Sequence, residues 1–365
     1  MKKIVLFTIV CITALCVPLK AQSQVELELS RRFADGAQSL PTQILALPNG
    51  DMLVSGGAFQ ANDSSYAFVL CLTANGDSLW SLFFNELESY YLPSVIVTMA
   101  GDIFISHSTL ENDSAYFQLN ITKVSSQGEV IWNRVQASEG ENWVYASLRE
   151  DTNGQILVSE SFLTDRLFPT FGTDLITVAF SQDGDSLWSE IEEVPENEKR
   201  YSRDLILSNS ERLVWGESAS GDSLEQREMF LRRFDVNKEM LWELTIPSQS
   251  GIYINDIVES SNGNLFAMGF KEVQYPDTAT TFILKVSSEG ELLGEFDFPG
   301  EPDQIIYGGY DLLIDPDGNL WIAGIRWHEW SDWLVRMDQE LHIIAEHEFN
   351  QVNGIGSIDC TLDGR

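Results

Sequence analysis
Asn75-Gly76-Asp77-Ser78-Leu79-Trp80 joins a tight-turn signal to an acid, an apolar residue and a tryptophan. The phrase returns as Gln127-Gly128-Glu129-Val130-Ile131-Trp132, as Asp183-Gly184-Asp185-Ser186-Leu187-Trp188 and as Asn237-Lys238-Glu239-Met240-Leu241-Trp242. A fifth copy, Glu289-Gly290-Glu291-Leu292-Leu293-Gly294, lacks the tryptophan, and a sixth, degenerate copy ends at Ala345. The copies recur about every 51 to 56 residues, a period that belongs to repeats of one supersecondary unit.

A second phrase interleaves with the first. Asn49-Gly50-Asp51-Met52-Leu53-Val54-Ser55-Gly56 is its first copy, and Asp317-Gly318-Asn319-Leu320-Trp321-Ile322-Ala323-Gly324 is its clearest. Related turns fall at Gly101, Gly154, Ser210, Gly263 and Gly364. Asn-Gly and Asp-Gly turns supply the positive φ that a short hairpin needs. The first unit therefore parses into four strands, at about residues 43–47, 51–56, 66–73 and 78–84. Four short strands per unit of about 53 residues predict an all-β chain of β-propeller blades. Six complete blades are expected, with a partial seventh starting at 355, where the chain stops in mid-hairpin. A strand at 25–29 is expected to serve as an outer closing strand, and the whole reads as one propeller domain over 22–365, truncated at its C-terminus.

The amino terminus reads differently. Lys2 and Lys3 precede an almost wholly apolar run at 4–17, followed by Pro18, Lys20 and Ala21. This is a secretory signal-peptide pattern over 1–21, since the run is shorter than the roughly 20 residues a membrane span needs. A secreted or cell-surface protein with no membrane insertion is expected. Beyond the leader only Cys71 and Cys360 remain, so the chain is not a disulfide scaffold. The formal charge is −34, from 22 Lys+Arg against 56 Asp+Glu, which argues against nucleic acid as a partner. With 44% hydrophobic residues, the chain has material for a core and is not an acidic disordered tail.

The repeat resembles that of secreted β-propeller proteins of the Bacteroidetes type, in which a Leu-Val-x-Gly strand alternates with a Gly-x-x-x-Trp strand. That resemblance covers about residues 25–365 and implies export linked to the type IX secretion system. The Gly76–Trp80, Gly128–Trp132 and Gly184–Trp188 spacing is also similar to the tryptophan-docking repeat of quinoprotein dehydrogenases, and the first half of the unit to delta-60 repeats. Leu70 and Leu72, or Val178 and Phe180, depart from the quinoprotein pattern. These motifs specify a blade and no chemistry. Trp80, Trp132, Trp188 and Trp242 share one blade position and are expected to pack between blades.

Candidate site residues follow from the geometry expected of a blade. The residue seven before each turn position falls on the innermost strand: Gln43, Ser94, Ser147, Arg203, Asp256, Asp311 and Ser357. All are polar and predict a polar ring, with Arg203, Asp256 and Asp311 as ligand candidates. The opposite loops are long, acidic and aromatic, offering Tyr91 and Trp143 as sugar-stacking residues. Arg326-Trp327-His328-Glu329-Trp330-Ser331-Asp332-Trp333 places Trp327 and Trp330 as contact residues, with Trp333 facing inward. No catalytic residue, metal ligand or cofactor is assigned. Asp315-Pro316-Asp317-Gly318-Asn319 offers a weak calcium-loop pattern without the downstream bidentate glutamate, so a hairpin turn is the better expectation. The expected function is binding, adhesion or scaffolding of an extracellular protein or glycan by a non-enzymatic monomer. The alternative is a propeller enzyme acting on glycans or a quinoprotein-like dehydrogenase.

Overall fold
The computed structural model describes residues 8–11, 29–32, 38–59, 65–85, 93–110, 117–137, 146–163, 173–192, 198–220, 227–248, 252–274, 278–298, 308–326, 331–349 and 357–360. Every regular element among them is a β-strand. β1 (Thr8–Cys11) and β2 (Leu29–Arg32) form a small antiparallel sheet. Blade one holds β3 (Gln38–Ala46), β4 (Met52–Phe59), β5 (Ser65–Leu72) and β6 (Ser78–Asn85). Blade two holds β7 (Ser94–Val97), β8 (Ile103–Leu110), β9 (Phe117–Val124) and β10 (Val130–Ala137). Blade three holds β11 (Ala146–Glu150), β12 (Ile156–Leu163), β13 (Thr173–Phe180) and β14 (Ser186–Glu192). Blade four holds β15 (Glu198–Ile206), β16 (Arg212–Ser220), β17 (Arg227–Phe234) and β18 (Met240–Ser248). Blade five holds β19 (Ile252–Glu259), β20 (Leu265–Gln274), β21 (Thr278–Val286) and β22 (Leu292–Asp297). Blade six holds β23 (Gly308–Ile314), β24 (Leu320–Arg326), β25 (Ser331–Met337) and β26 (Ile343–Phe349).

These are the six four-stranded antiparallel blades of a β-propeller, each with its strands in chain order. Blades one to three lie in one compact unit and blades four to six in a second. Of the expected closing strand at 25–29, only Leu29 is among the described residues. Leu29 belongs to β2, which pairs with β1 and, among the described residues, with no blade. Residues 25–28 lie outside the described residues. Residues 357–360 are described and form no strand, and the expected turn at 362–365 lies outside the described residues.

The hairpins show why the repeat folds as it does. In each, the residue three before the turn position accepts that position's N–H, as in Gly50 N to Leu47 O at 2.9 Å and Gly290 N to Ser287 O at 3.0 Å. The turn residue sits at positive φ, usually as glycine, and otherwise as Ser210, Lys238 or Leu341. Many of the turns begin with Ser, Thr or Asp, whose side chain caps the N–H four residues on. Thr73 does this for Asp77 at 3.1 Å, Asp235 for Glu239 at 2.8 Å and Ser287 for Glu291 at 3.0 Å. The side chain takes a donor that the turn would otherwise leave unsatisfied.

Core formation is blade against blade. One cluster joins Leu213, Trp215 and Leu231 of blade four to Ile257, Phe282 and Leu284 of blade five. Another joins Phe266 and Ile283 of blade five to Leu312, Trp333 and Val335 of blade six. Second strands are apolar on both faces because both faces are covered: Leu53, Val54, Phe266, Ala267 and Ile322 are all buried. Trp333 faces inward as expected and is 0% exposed.

The recurrent tryptophans lock neighbouring blades. Trp80 Nε1 donates to Ser126 O at 2.9 Å, Trp132 Nε1 to Gln182 O at 3.2 Å and Trp242 Nε1 to Ser288 O at 2.8 Å. The indole then lies on the turn glycine of the following blade. A Cβ on Gly128 would stand 2.6 Å from Trp80, and one on Gly290 2.7 Å from Trp242. Glycine is needed there both for its φ and for the space. Trp188 differs: it is 38% exposed, and its Nε1 reaches Gln155 Oε1 at 3.1 Å within its own blade. Blade five reverses the lock. Gly294 stands where the tryptophan would be, and Leu341 stands where the receiving glycine would be. The Leu341 side chain is buried, with Cδ1 3.4 Å from the place of a Gly294 Cβ.

Candidate functional site
The polar residues of the innermost strands are placed by a local irregularity. β3 shifts register between Pro41 and Gln43, β19 between Ile254 and Asp256, and β23 between Gly309 and Asp311. A bulge of this kind re-aims the side chain that follows it. The residue before each bulge faces a glycine on the second strand: Pro41 faces Gly56, Ile254 faces Gly269 and Gly309 faces Gly324. Gly269 shows why. A Cβ there would come within 1.9 Å of Tyr253 O, so the bulge presses backbone onto a site that admits no side chain. In these three blades the closing glycine of the phrase faces the bulge, whereas Gly216 closes the same phrase in blade four opposite Ser202 in unbroken register.

Once re-aimed, these side chains reach the innermost strand of the next blade. Gln43 Nε2 donates to Val95 O at 2.9 Å, and Val95 N donates back to Gln43 Oε1 at 2.8 Å. The amide thus imitates a paired strand residue. In the second unit Arg203, which has no bulge before it, donates from Nη1 to Asn255 O at 2.7 Å. Asp256 Oδ2 accepts from Leu312 N at 3.1 Å, and its Oδ1 accepts from Ile257 N at 2.8 Å. Asp311 Oδ1 accepts from the same Leu312 N at 3.0 Å. Its Oδ2 accepts from Ile358 N at 2.7 Å and from Ser357 Oγ at 2.5 Å.

Asp256, Asp311 and Ser357, singled out from their spacing, are thus joined by hydrogen bonds, and Arg203 reaches the backbone of Asn255 beside them. Asp256 and Asp311 keep some accessible surface but are enclosed by backbone. Burial, then the charge of Asp311 and the hydrogen bond between the two carboxyls, push Asp256 up to about 8. The N–H groups of Leu312 and Ile257 oppose this. Burial also raises Asp311, against hydrogen bonds from Ser357, Ile358, Asp256 and Leu312 that lower it. Both carboxyls are thus raised, and they titrate as a pair.

This arrangement limits the chemistry. Glycoside hydrolysis needs two carboxyls about 5 to 10 Å apart, with room for a sugar or a water between them. Asp256 and Asp311 are in hydrogen-bond contact, and their oxygens accept from backbone N–H groups and a serine hydroxyl. The pair is built as a clasp between strands.

Other candidates resolve as follows. The Asp315 loop is a hairpin turn, with Gly318 N on Asp315 O at 2.8 Å. Its carboxylate is occupied by Asn319 N at 2.8 Å, Trp321 Nε1 at 3.0 Å and Arg336 Nη2 at 2.8 Å. Burial pushes Asp315 up, but these donors outweigh it and hold the group below the usual carboxylate range. Among the described residues, no cluster of three His, Cys, Asp or Glu has the disposition to hold a metal ion. Tyr91, Trp143, Trp327 and Trp330 lie outside the described residues. Sequence reasoning passed over His107, a buried imidazole stacked on Phe84 with ring centroids 4.0 Å apart. Burial lowers it to about 4.

No protein-family model matches the chain, and no curated protein matches it in sequence. Solved structures match it in fold. The α-L-arabinanase of Penicillium chrysogenum is similar at 14% identity and a TM-score of 0.53, over 83% of this chain and 94% of that one. The polysaccharide lyase Uly1 is similar at 10% identity and a TM-score of 0.52, over 89% of this chain and 86% of that one. The GH93 α-L-arabinofuranosidase of Fusarium graminearum is similar at 12% identity and a TM-score of 0.50, over 79% and 88%. At these identities the likeness is one of fold.

Proposed function
We propose that the chain is an exported, non-catalytic β-propeller that binds an extracellular glycan or protein through the long acidic and aromatic loops of its blades. The observation that carries this reading is the commitment of Asp256 and Asp311 to inter-strand clasps. Asp256 is engaged in holding blade six to blade five, and Asp311 in holding the segment at Ser357–Ile358. Recognition then falls to the loops, where Trp327, Trp330, Tyr91 and Trp143 supply stacking faces and the acids around them accept hydroxyls. The signal-peptide pattern at 1–21 supports export. The likeness of the repeats to secreted Bacteroidetes propellers supports a type IX route.

Glycan-array binding of the purified chain, run beside a sugar-release and lyase assay on every glycan bound, tests the reading. Binding without turnover is expected, weakened about tenfold or more by Trp327→Ala with Trp330→Ala, since a lost aromatic contact of this kind is worth about 1–2 kcal/mol. Turnover of a bound glycan, abolished by Asp256→Asn or Asp311→Asn, sinks it in favour of a propeller enzyme.

A further inference from the structure
Among the described residues, the chain segment at Ser357–Ile358 is hydrogen-bonded to blade six through the side chain of Asp311. Asp311 Oδ2 takes both the Ser357 hydroxyl and the Ile358 N–H, at 2.5 and 2.7 Å. The other oxygen of Asp311 shares the Leu312 N–H with Asp256 Oδ2. Asp311 is therefore the middle of a relay, with Asp256 on one side and the segment on the other. The grip that Asp311 has on the segment depends on how it is held by Asp256.

We propose that Asp256, Asp311 and Ser357 form a proton-keyed latch, which pins the segment at Ser357–Ile358 to β23 while the two carboxyls share a proton and loosens it when both are ionised. The physical cause is like-charge repulsion. Two carboxylates in contact within a backbone enclosure cannot both stay ionised in that geometry. One of them must swing away, and the only part of the relay not built into a strand is the segment itself.

Among the described residues, the neighbouring charges have engagements of their own. Arg203 on β15 gives Nη1 to Asn255 O, and Asp204 beside it is paired with Arg212. Lys271 on β20 is paired with Glu295 and Asp297. Glu259, at the far end of β19, accepts from Ser208 N. Asp359 in the segment accepts from Cys360 N. The charge that acts on Asp256 is that of Asp311. The sign follows. The folded pair keeps a proton that an unfolded aspartate has already lost, so the latch is tightest at low pH and is released as pH rises through the alkaline side of neutrality.

Hydrogen exchange on the intact chain tests this, read at the Ile358 and Leu312 amides from about pH 6 to about pH 9 and corrected for the intrinsic rate. Protection at Ile358 should fall by roughly tenfold or more across that range, the effect of about one unit of unfavourable pKa shift. In Asp256→Asn, whose amide N–H can donate to Asp311 without titrating, protection should stay level. In Asp311→Asn it should be weak throughout. Amides in the β20–β21 ladder report that each variant is folded. A wild-type Ile358 amide whose protection ignores pH overturns the latch, as does a pH dependence that persists in Asp256→Asn. Should Asp256→Asn fail to fold, carboxyl-carbon NMR on the wild type decides the matter, because ordinary titration of both groups below about pH 5 overturns it too.

Discussion

The two units share one blade plan but hold their innermost strands by different chemistry. The first unit uses a neutral amide, Gln43, which gives and takes a hydrogen bond with the backbone of Val95. The second uses ionisable groups, Arg203, Asp256 and Asp311, in the same positions of the repeat. Buried titratable groups of the first unit lie elsewhere, among them the Cys71 thiol on β5, which burial pushes up to about 11, and His107 on β8. The imidazole is the one that matters near neutral pH. Its Nδ1 finds no hydrogen-bond partner among the described residues. The units therefore carry opposite liabilities. The first must protonate a buried imidazole as pH falls, and the second must ionise a buried carboxyl pair as pH rises. One architectural task, the joining of adjacent strands, does not dictate a charge. The charge is where the two units have diverged.

Four tests probe that contrast and the packing around it. The largest effect is expected at the indole lock. Gly128→Ala meets both a φ of 82° and Trp80. It should destabilise the first unit by about 3–4 kcal/mol in denaturant melts, the sum of left-handed strain and overpacking. Gly50→Ala has nearly the same φ, 86°, with nothing within 4 Å of the new Cβ. It should cost about 1–2 kcal/mol. Equal costs at the two positions would remove the indole from the explanation.

Next comes acid. The folded pKa of His107, about 4, is below its unfolded value near 6.5, so the native state binds fewer protons between those limits. Stability should fall by about 3 kcal/mol as pH drops from about 6.5 to about 4, and His107→Phe should flatten that slope in pH-dependent melts. A third test targets the reversed lock. Leu341→Gly should lose about 2 kcal/mol, since lost burial outweighs relief of its positive φ. Gly294→Trp in that background should recover about half by restoring an indole over a glycine. The smallest change is an exchange of clasps. Gln43→Glu loses the donor to Val95 O and should cost about 1–2 kcal/mol near neutral pH, bringing a titrating carboxyl to the clasp of the first unit. If Gln43→Glu melts the same at every pH above about 6, the clasp position is indifferent to charge and the contrast fails.

The blade was legible because its signals are local. Turn glycines, the alternation of Leu53, Val54 and Ser55, and the recurrent tryptophans lie within a few residues of each other. The clasps were half legible. Spacing found Arg203, Asp256 and Asp311 as a polar series, but their role depends on strands more than fifty residues apart in sequence and on a bulge. Gly56, Gly269 and Gly324, which face the bulges, were visible as part of a motif, but Gly216 holds the same motif position without a bulge, so the motif alone did not locate them. The pair at Gly294 and Leu341 read as decay of the repeat, because each departure is sensible only when the other is seen against it. His107 gave no signal at all, since its environment is made by Phe84 of the preceding blade.

The indole lock has a consequence for how such a chain can be rearranged. Its two halves lie in successive blades, a tryptophan in one and a glycine in the next, so blades that carry both are interchangeable parts. A copy of blade two, which offers Gly128 behind it and Trp132 ahead, could be spliced after blade one or after blade four and find its complement. It could not follow blade five, whose Gly294 requires a leucine in the turn of its successor. Blades five and six therefore form a matched couple that has left the common currency of the repeat, and recombination within this chain must move them together.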